Sequence, residues 1–188
     1  QVYPIEQNEQ LRSKYWKHSL QTSFAYNFSD KSHINISYTG DYIPDQHNNS
    51  RTTGNFQTGN VDKYVDSRMH NVTLQYQFAF GLNIGGDYTY YRSDNNQHLH
   101  TLFQSGEQND FDMVSGQKIN RYSIYADQKH PLAKGWNVGY GASFRLAKDY
   151  DYQTYNQVTG DLTTQDIQSD LTEQTTNFYL SIGKNTQT

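Results

Sequence analysis

From Tyr15 to Phe28 the chain reads Tyr15-Trp16-Lys17-His18-Ser19-Leu20-Gln21-Thr22-Ser23-Phe24-Ala25-Tyr26-Asn27-Phe28. Trp16, His18, Leu20, Thr22, Phe24, Tyr26 and Phe28 share one parity, and Lys17, Ser19, Gln21, Ser23 and Asn27 the other. Successive side chains of an extended strand point to opposite sides, so this stretch is a strand of about a dozen residues with one apolar face. Six more segments repeat the pattern, giving expected strands at 14–28, 33–43, 69–80, 82–92, 118–128, 136–147 and 175–184. Each is long enough to cross roughly 25 to 30 Å of bilayer hydrocarbon when tilted. The apolar parity carries Leu74, Tyr76, Phe78, Ile84, Val138, Tyr140 and Phe144 as a lipid-facing band. The other parity presents Asp87, Arg121, Asp127 and Arg145, with Lys17 and Asp41, toward a lumen. The fold class is therefore all-β: an antiparallel up-and-down meander of about seven long strands, one segment of a transmembrane outer-membrane β-barrel.

Composition agrees with a barrel better than with a packed soluble core. Of 188 residues 34% are hydrophobic, 15% are aromatic with 17 Tyr, and mean hydropathy is −0.98. A barrel tolerates such low hydropathy because only alternate residues meet lipid. There is no apolar run near 18 residues, which excludes a spanning helix, and the start lacks the sections of a secretory signal. Zero Cys excludes a disulfide framework and a thiolate metal site. With net charge −4 and no cluster of Lys and Arg, a nucleic-acid surface is unsupported.

The connections alternate in length. Ser29-Asp30-Lys31-Ser32, the turn at Gly81 and Lys129-His130-Pro131-Leu132-Ala133-Lys134-Gly135 are short, whereas the segments between them run to about two dozen polar residues. Short periplasmic turns and long external loops are the asymmetry of an outer-membrane barrel, which places the protein in the outer membrane of a Gram-negative bacterium, among its lipids. Tyr26, Phe28, Phe78, Phe80 and Trp136 then gather at the periplasmic rim and Trp16, Tyr42 and Tyr90 at the external one, as two aromatic belts. Within the long loops Phe56, Tyr64, Phe103, Phe111, Tyr150, Tyr152 and Tyr155 are the candidate ligand contacts, since aromatic faces bury area at little entropic cost.

Other chemistry has weaker signals. His98-Leu99-His100, with Glu107, Asp110 and Asp112 nearby, has no third ligand at a fixed spacing, and Asp149-Tyr150-Asp151 lacks the Gly and Glu of a calcium loop. No nucleophile elbow or zinc-protease helix occurs, so no enzyme activity, no metal and no cofactor is expected. Seven is odd, whereas single-chain bacterial barrels close with even counts, so the remainder of a larger barrel is expected as a partner.

The stretches Gly86-Asp87-Tyr88-Thr89-Tyr90-Tyr91, Asn120-Arg121-Tyr122-Ser123-Ile124-Tyr125-Ala126-Asp127-Gln128 and Gly135-Trp136-Asn137-Val138-Gly139-Tyr140-Gly141 resemble phrases from the C-terminal β-barrel of TonB-dependent receptor-like outer-membrane proteins. The resemblance covers about Trp16 to Gly183 and implies uptake of a metal chelate, vitamin or oligosaccharide. It also implies a plug domain, a TonB energy-transducing complex and a surface lipoprotein as partners. The alternatives are a surface-exposed binding or adhesion barrel without transport, and a soluble β-sandwich binding module.

Overall fold

A computed structural model describes residues 5–157 and 164–184, and nearly all of them are in one antiparallel sheet. Its strands are β1 (Gln7–Lys14), β2 (His18–Ser29), β3 (Ser32–Gly54), β4 (Gln57–Gln77), β5 (Leu82–Phe103), β6 (Gln108–Pro131), β7 (Trp136–Gln157) and β8 (Thr164–Lys184). From β3 onward each strand pairs with the next in a meander. β1 and β2 lie end to end along β3, β1 on its distal half and β2 on its proximal half. The expected first strand, 14–28, is β2 and starts only at His18, while β1 lies in the polar residues before it, with Tyr15-Trp16-Lys17 between the two.

The interruption has a cause on β3. Pro44 has no N–H to give the ladder, and Asp45 takes a φ of 47°. Pro44 and Asp45 together oppose Asp66, and the Asp45 N–H donates to Asp66 Oδ1 at 2.9 Å. This bulge reverses the parity of β3, so Tyr38, Gly40 and Tyr42 share a face with His47 and Asn49.

The register aligns the apolar parity of all rows. Phe24, Ile36, Leu74, Gly86, Ile124, Phe144 and Thr176 form one row across the sheet, and Tyr26, Ile34, Tyr76, Ile84, Ala126, Ala142 and Phe178 the row below it. On β7 the band runs from Val138 to Leu146, close to the 9 to 11 residues that a tilted strand uses to cross hydrocarbon. Phe78 lies just past β4, in the turn closed by Gly81 N–H to the Phe78 carbonyl at 3.0 Å. Its ring still joins the lower aromatic cluster, 4.4 Å from Tyr76 and 5.3 Å from Phe80. Lys184 caps Trp136 at the same rim, 5.5 Å from the ring centre.

Among the described residues there is no buried apolar core and no second sheet. That overturns the sandwich alternative, whose two layers must enclose a core. The outermost rows are the most exposed: Phe178 and Leu180 on β8 are 81% and 71% accessible.

The second correction concerns the long loops. Residues expected as two-dozen-residue loops are continuations of the strands, so that β3 to β8 reach 21 to 24 residues. Each hairpin projects about ten residues past the band, some 25 Å when tilted. Both faces of these projections carry polar side chains, which removes the hydropathy contrast without removing the ladder.

Candidate functional site

The face of the sheet opposite the apolar band carries its charged and amide side chains. Asp87, Arg121, Asp127 and Arg145 share this face of the sheet. The Ser123 hydroxyl donates to Asp87, and Asn83 Nδ2 donates to Asp127 Oδ2 at 3.2 Å. Nearer the external end Lys17 pairs with Asp41 at 3.2 Å, and Ser19 Oγ donates to the same carboxylate at 2.6 Å. The three carboxylates are half-buried and partnered, and such surface pairs are screened by solvent.

Where the projecting hairpins β5 to β8 leave the band, the same face holds a groove of about 400 Å³. Ser93, Asn95, Ser115, Gln117, Asp151 and Gln153 line it, with Tyr91 and Ile167 as apolar patches. Amide and hydroxyl groups in alternation present both donors and acceptors at strand spacing, a lining matched to a solute rich in hydroxyls or amides. Just below, Asp149 Oδ2 accepts from Gln117 Nε2 at 3.3 Å, while Asp149 Oδ1 is buried with no hydrogen-bond partner. The sequence reading passed over this groove. The available signal was the run of small polar residues on one parity, Ser93, Asn95 and Gln97 facing Ser115 and Gln117.

The seven candidate aromatics do not converge. Phe103, Phe111 and Tyr155 lie on the polar face, the last two with ring centres 6.5 Å apart. Tyr64, Tyr150 and Tyr152 lie on the opposite face, in continuation of the apolar band. There Tyr64 stacks on His47 at 4.5 Å and Tyr152 donates to Asp94 Oδ1 at 3.2 Å. Phe56 sits at the β3–β4 tip, 44% exposed, its carbonyl accepting from Gln104 N–H. Of the seven, Phe103, Phe111 and Tyr155 share the polar face.

His98 and His100 occupy separate cross-strand pairs: His98 Nδ1 meets Asp112 Oδ1 at 2.6 Å, and His100 meets Asp110. Among the described residues no group of three or more His, Cys, Asp and Glu side chains is placed to hold a metal ion.

On the far part of the β3–β4 hairpin, Asp62 accepts from Asn49 at 2.8 Å and Asn60 at 2.7 Å, and meets His47 Nε2 at 3.1 Å. The Asn49 bond and then the His47 bond hold its carboxyl below the usual carboxylate range, against the effect of burial. A lowered folded pKa adds stability above the unfolded value of about 3.9, lost as pH falls through the folded one. Hydrogen-exchange protection across 47–64 is therefore expected to be level from about pH 5 to 8 and to drop below about pH 4. Asp62→Asn should remove that acid-dependent step; a step unchanged in the variant would assign it elsewhere.

Compared by sequence, the chain matches no family profile and no curated protein. Compared by structure, it is similar to the ferric yersiniabactin uptake receptor FyuA from Yersinia pestis, with a TM-score of 0.59 and 12% identity. The match covers 92% of this chain and 26% of the receptor, so the chain spans about a quarter of that protein's length. At this identity the likeness establishes the fold: a run of barrel-wall strands.

Proposed function

We propose that these residues form part of the wall and the external projections of an outer-membrane receptor or transporter of the TonB-dependent kind. In this reading the polar face contacts the imported solute. The observation that carries it is the aligned apolar band on one face of a single-layer sheet, nine residues high on β7, with charged and amide side chains on the other. The likeness to an uptake receptor supports the same reading. The two outer rows, β1 with β2 and β8, are the edges at which the remainder of the barrel completes the wall. A plug domain would face the polar side, and an energy-transducing complex and a surface lipoprotein would act from the two rims. The solute is a metal chelate, vitamin or oligosaccharide, and the amide and hydroxyl lining of the groove favours one rich in hydrogen-bonding groups.

The test is topology in intact cells producing the full-length polypeptide that carries these residues. Cysteines replace Thr58 and Gln108 at the far tips and Lys31 in the exposed proximal turn. A membrane-impermeant maleimide is expected to label the two tips at once, and Lys31→Cys only after the outer membrane is permeabilised. Equal labelling of all three, or recovery of the protein in a soluble fraction, would overturn the reading.

A further inference from the structure

His98 and His100 belong to β5 and therefore share one face, with Leu99 between them on the other. Their Cα atoms stand about 6.8 Å apart, the rise of two antiparallel strand residues. The register sets Asp112 directly across from His98, and Asp110 directly across from His100, on β6. His98 Nδ1 meets Asp112 Oδ1 at 2.6 Å, and His100 Nδ1 meets Asp110 Oδ1. An ionised carboxylate only accepts, so in each pair Nδ1 carries the proton of the neutral ring and Nε2 keeps the lone pair. A carboxylate on the far nitrogen is the support that metal-binding imidazoles have: it fixes the tautomer, orients the ring and makes the other nitrogen more basic. Here that support occurs twice, in register, along one strand.

The surroundings suit a cation. On the β4 side Asp62 stands opposite His98 and Asn60 opposite His100, so Asp62, Asp110 and Asp112 flank the two rings, while Arg51 stands one strand further, beyond Asn60. A cavity of about 350 Å³ lies between Arg51, Thr58, Gly59, Asn60 and His100, room for several water molecules at about 30 Å³ each. The His98 and His100 side chains are 52% and 43% accessible, so an ion from solution reaches both. On the opposite face Leu99 stands between Val61 and Phe111, which backs the strand with apolar neighbours. Bonds of about 2.0 Å to both rings require the Nε2 atoms within about 4 Å of each other, which imidazoles rooted at adjacent positions of one face reach by tilting together. Among the described residues no third His, Cys, Asp or Glu completes such a group, so water fills the remaining positions. Two imidazoles and water in a tetragonal arrangement suit Cu²⁺, which also binds nitrogen donors most tightly among the divalent first-row ions.

We infer that His98 and His100 form a two-nitrogen binding site for a divalent transition-metal ion, Cu²⁺ above all, with Asp112 and Asp110 as the residues that position the rings. The site lies on the face opposite the groove lined by Ser93, Ser115 and Gln153, and is separate from it. It depends on the β5–β6 register alone, so it stands or falls apart from the membrane-wall reading.

The experiment titrates Cu²⁺ into the full-length polypeptide in detergent, free of any affinity tag, against a competing chelator, and records the electron paramagnetic resonance spectrum of the complex. A tetragonal spectrum split by two imidazole nitrogens is expected. His98→Gln and His100→Gln should each leave one nitrogen and weaken binding roughly tenfold or more, at least what losing an outer partner of a ligating histidine costs. Asp112→Asn keeps both ligands and should retain the two-nitrogen spectrum while weakening binding about tenfold. His47→Gln, in the separate pair with Asp62, should change neither spectrum nor affinity. Hydrogen exchange across 94–114 reports whether the ladder is intact in each variant. Unchanged affinity in the protein carrying both His98→Gln and His100→Gln would mean that the ion binds elsewhere and would overturn the site, as would a one-nitrogen spectrum in the unaltered protein. Should a Gln variant lose exchange protection, Asp112→Asn decides: undiminished affinity there would remove the carboxylate-oriented pair.

Discussion

Leu74→Arg is expected to destabilise the membrane-inserted protein by about 2 to 4 kcal/mol, whereas Thr73→Arg, one residue away, should change it little. Leu74 stands between Ile36 and Gly86 in the row that continues to Ile124 and Phe144, so a guanidinium there meets apolar neighbours and acyl chains. Thr73 stands directly opposite Asp87 on the polar face, where an arginine gains a cross-strand carboxylate worth a few tenths of a kcal/mol. Depth gives a second axis. Val138 lies two residues from Trp136 at the lower rim, so Val138→Arg should cost only about 0 to 1 kcal/mol although it shares the face of Leu74. Reversible guanidinium unfolding of the full-length polypeptide in lipid vesicles, followed by tryptophan fluorescence, reads all three. Equal tolerance at 73 and 74 would sink the face assignment; equal cost at 74 and 138 would remove hydrocarbon as its cause.

What the sequence made legible is the part of each strand where the two faces have different surroundings. Leu74 next to Thr73 and Val138 next to Asn137 lie on opposite faces, one apolar and one polar, and that contrast marks the strands within the band. Above it the contrast ends while the ladder goes on. Lys63, Tyr64, Val65 and Asp66 pair in register with Gln97, Asn96, Asn95 and Asp94, although their polarity looks like that of a loop. Backbone hydrogen bonds hold these projections, reinforced by side-chain bonds such as Asn49 to Asp62, and backbone hydrogen bonds leave no period-2 trace. The same cause hid the groove at Ser93 and Gln117. It also spread the candidate aromatics over both faces, because a loop has no parity whereas Tyr64 and Phe111, being in strands, do. The bulge was half visible: Pro44 explains why the alternation stops near Tyr42, but the reversal of parity beyond it depends on Asp45 adopting a positive φ, which the alternation alone does not reveal.

Gly86→Val is expected to cost about 1 to 3 kcal/mol and to loosen the β5–β6 ladder, while Gly85→Ala should be milder. The two glycines differ in what stands over them. A Cβ on Gly86 would lie 2.6 Å from the Ser123 carbonyl oxygen and 3.4 Å from Ile124 Cγ2, and on Gly85 the nearest atoms belong to the Tyr125 ring, at 2.5 Å. A phenol ring can turn aside into the water of the polar face. The Ser123 carbonyl is fixed by the register that pairs Asp87 with Ser123 and Gly86 with Ile124, and it moves only if the ladder opens. In the proposed membrane wall the band meets no water that could take over a freed backbone group, so an opened ladder would leave its N–H and C=O groups unpaired. Hydrogen exchange across 82–90 and 119–127 should therefore lose protection in Gly86→Val and keep it in Gly85→Ala. The opposite order would mean that Tyr125, and not the strand backbone, sets the spacing of β5 and β6 at this height.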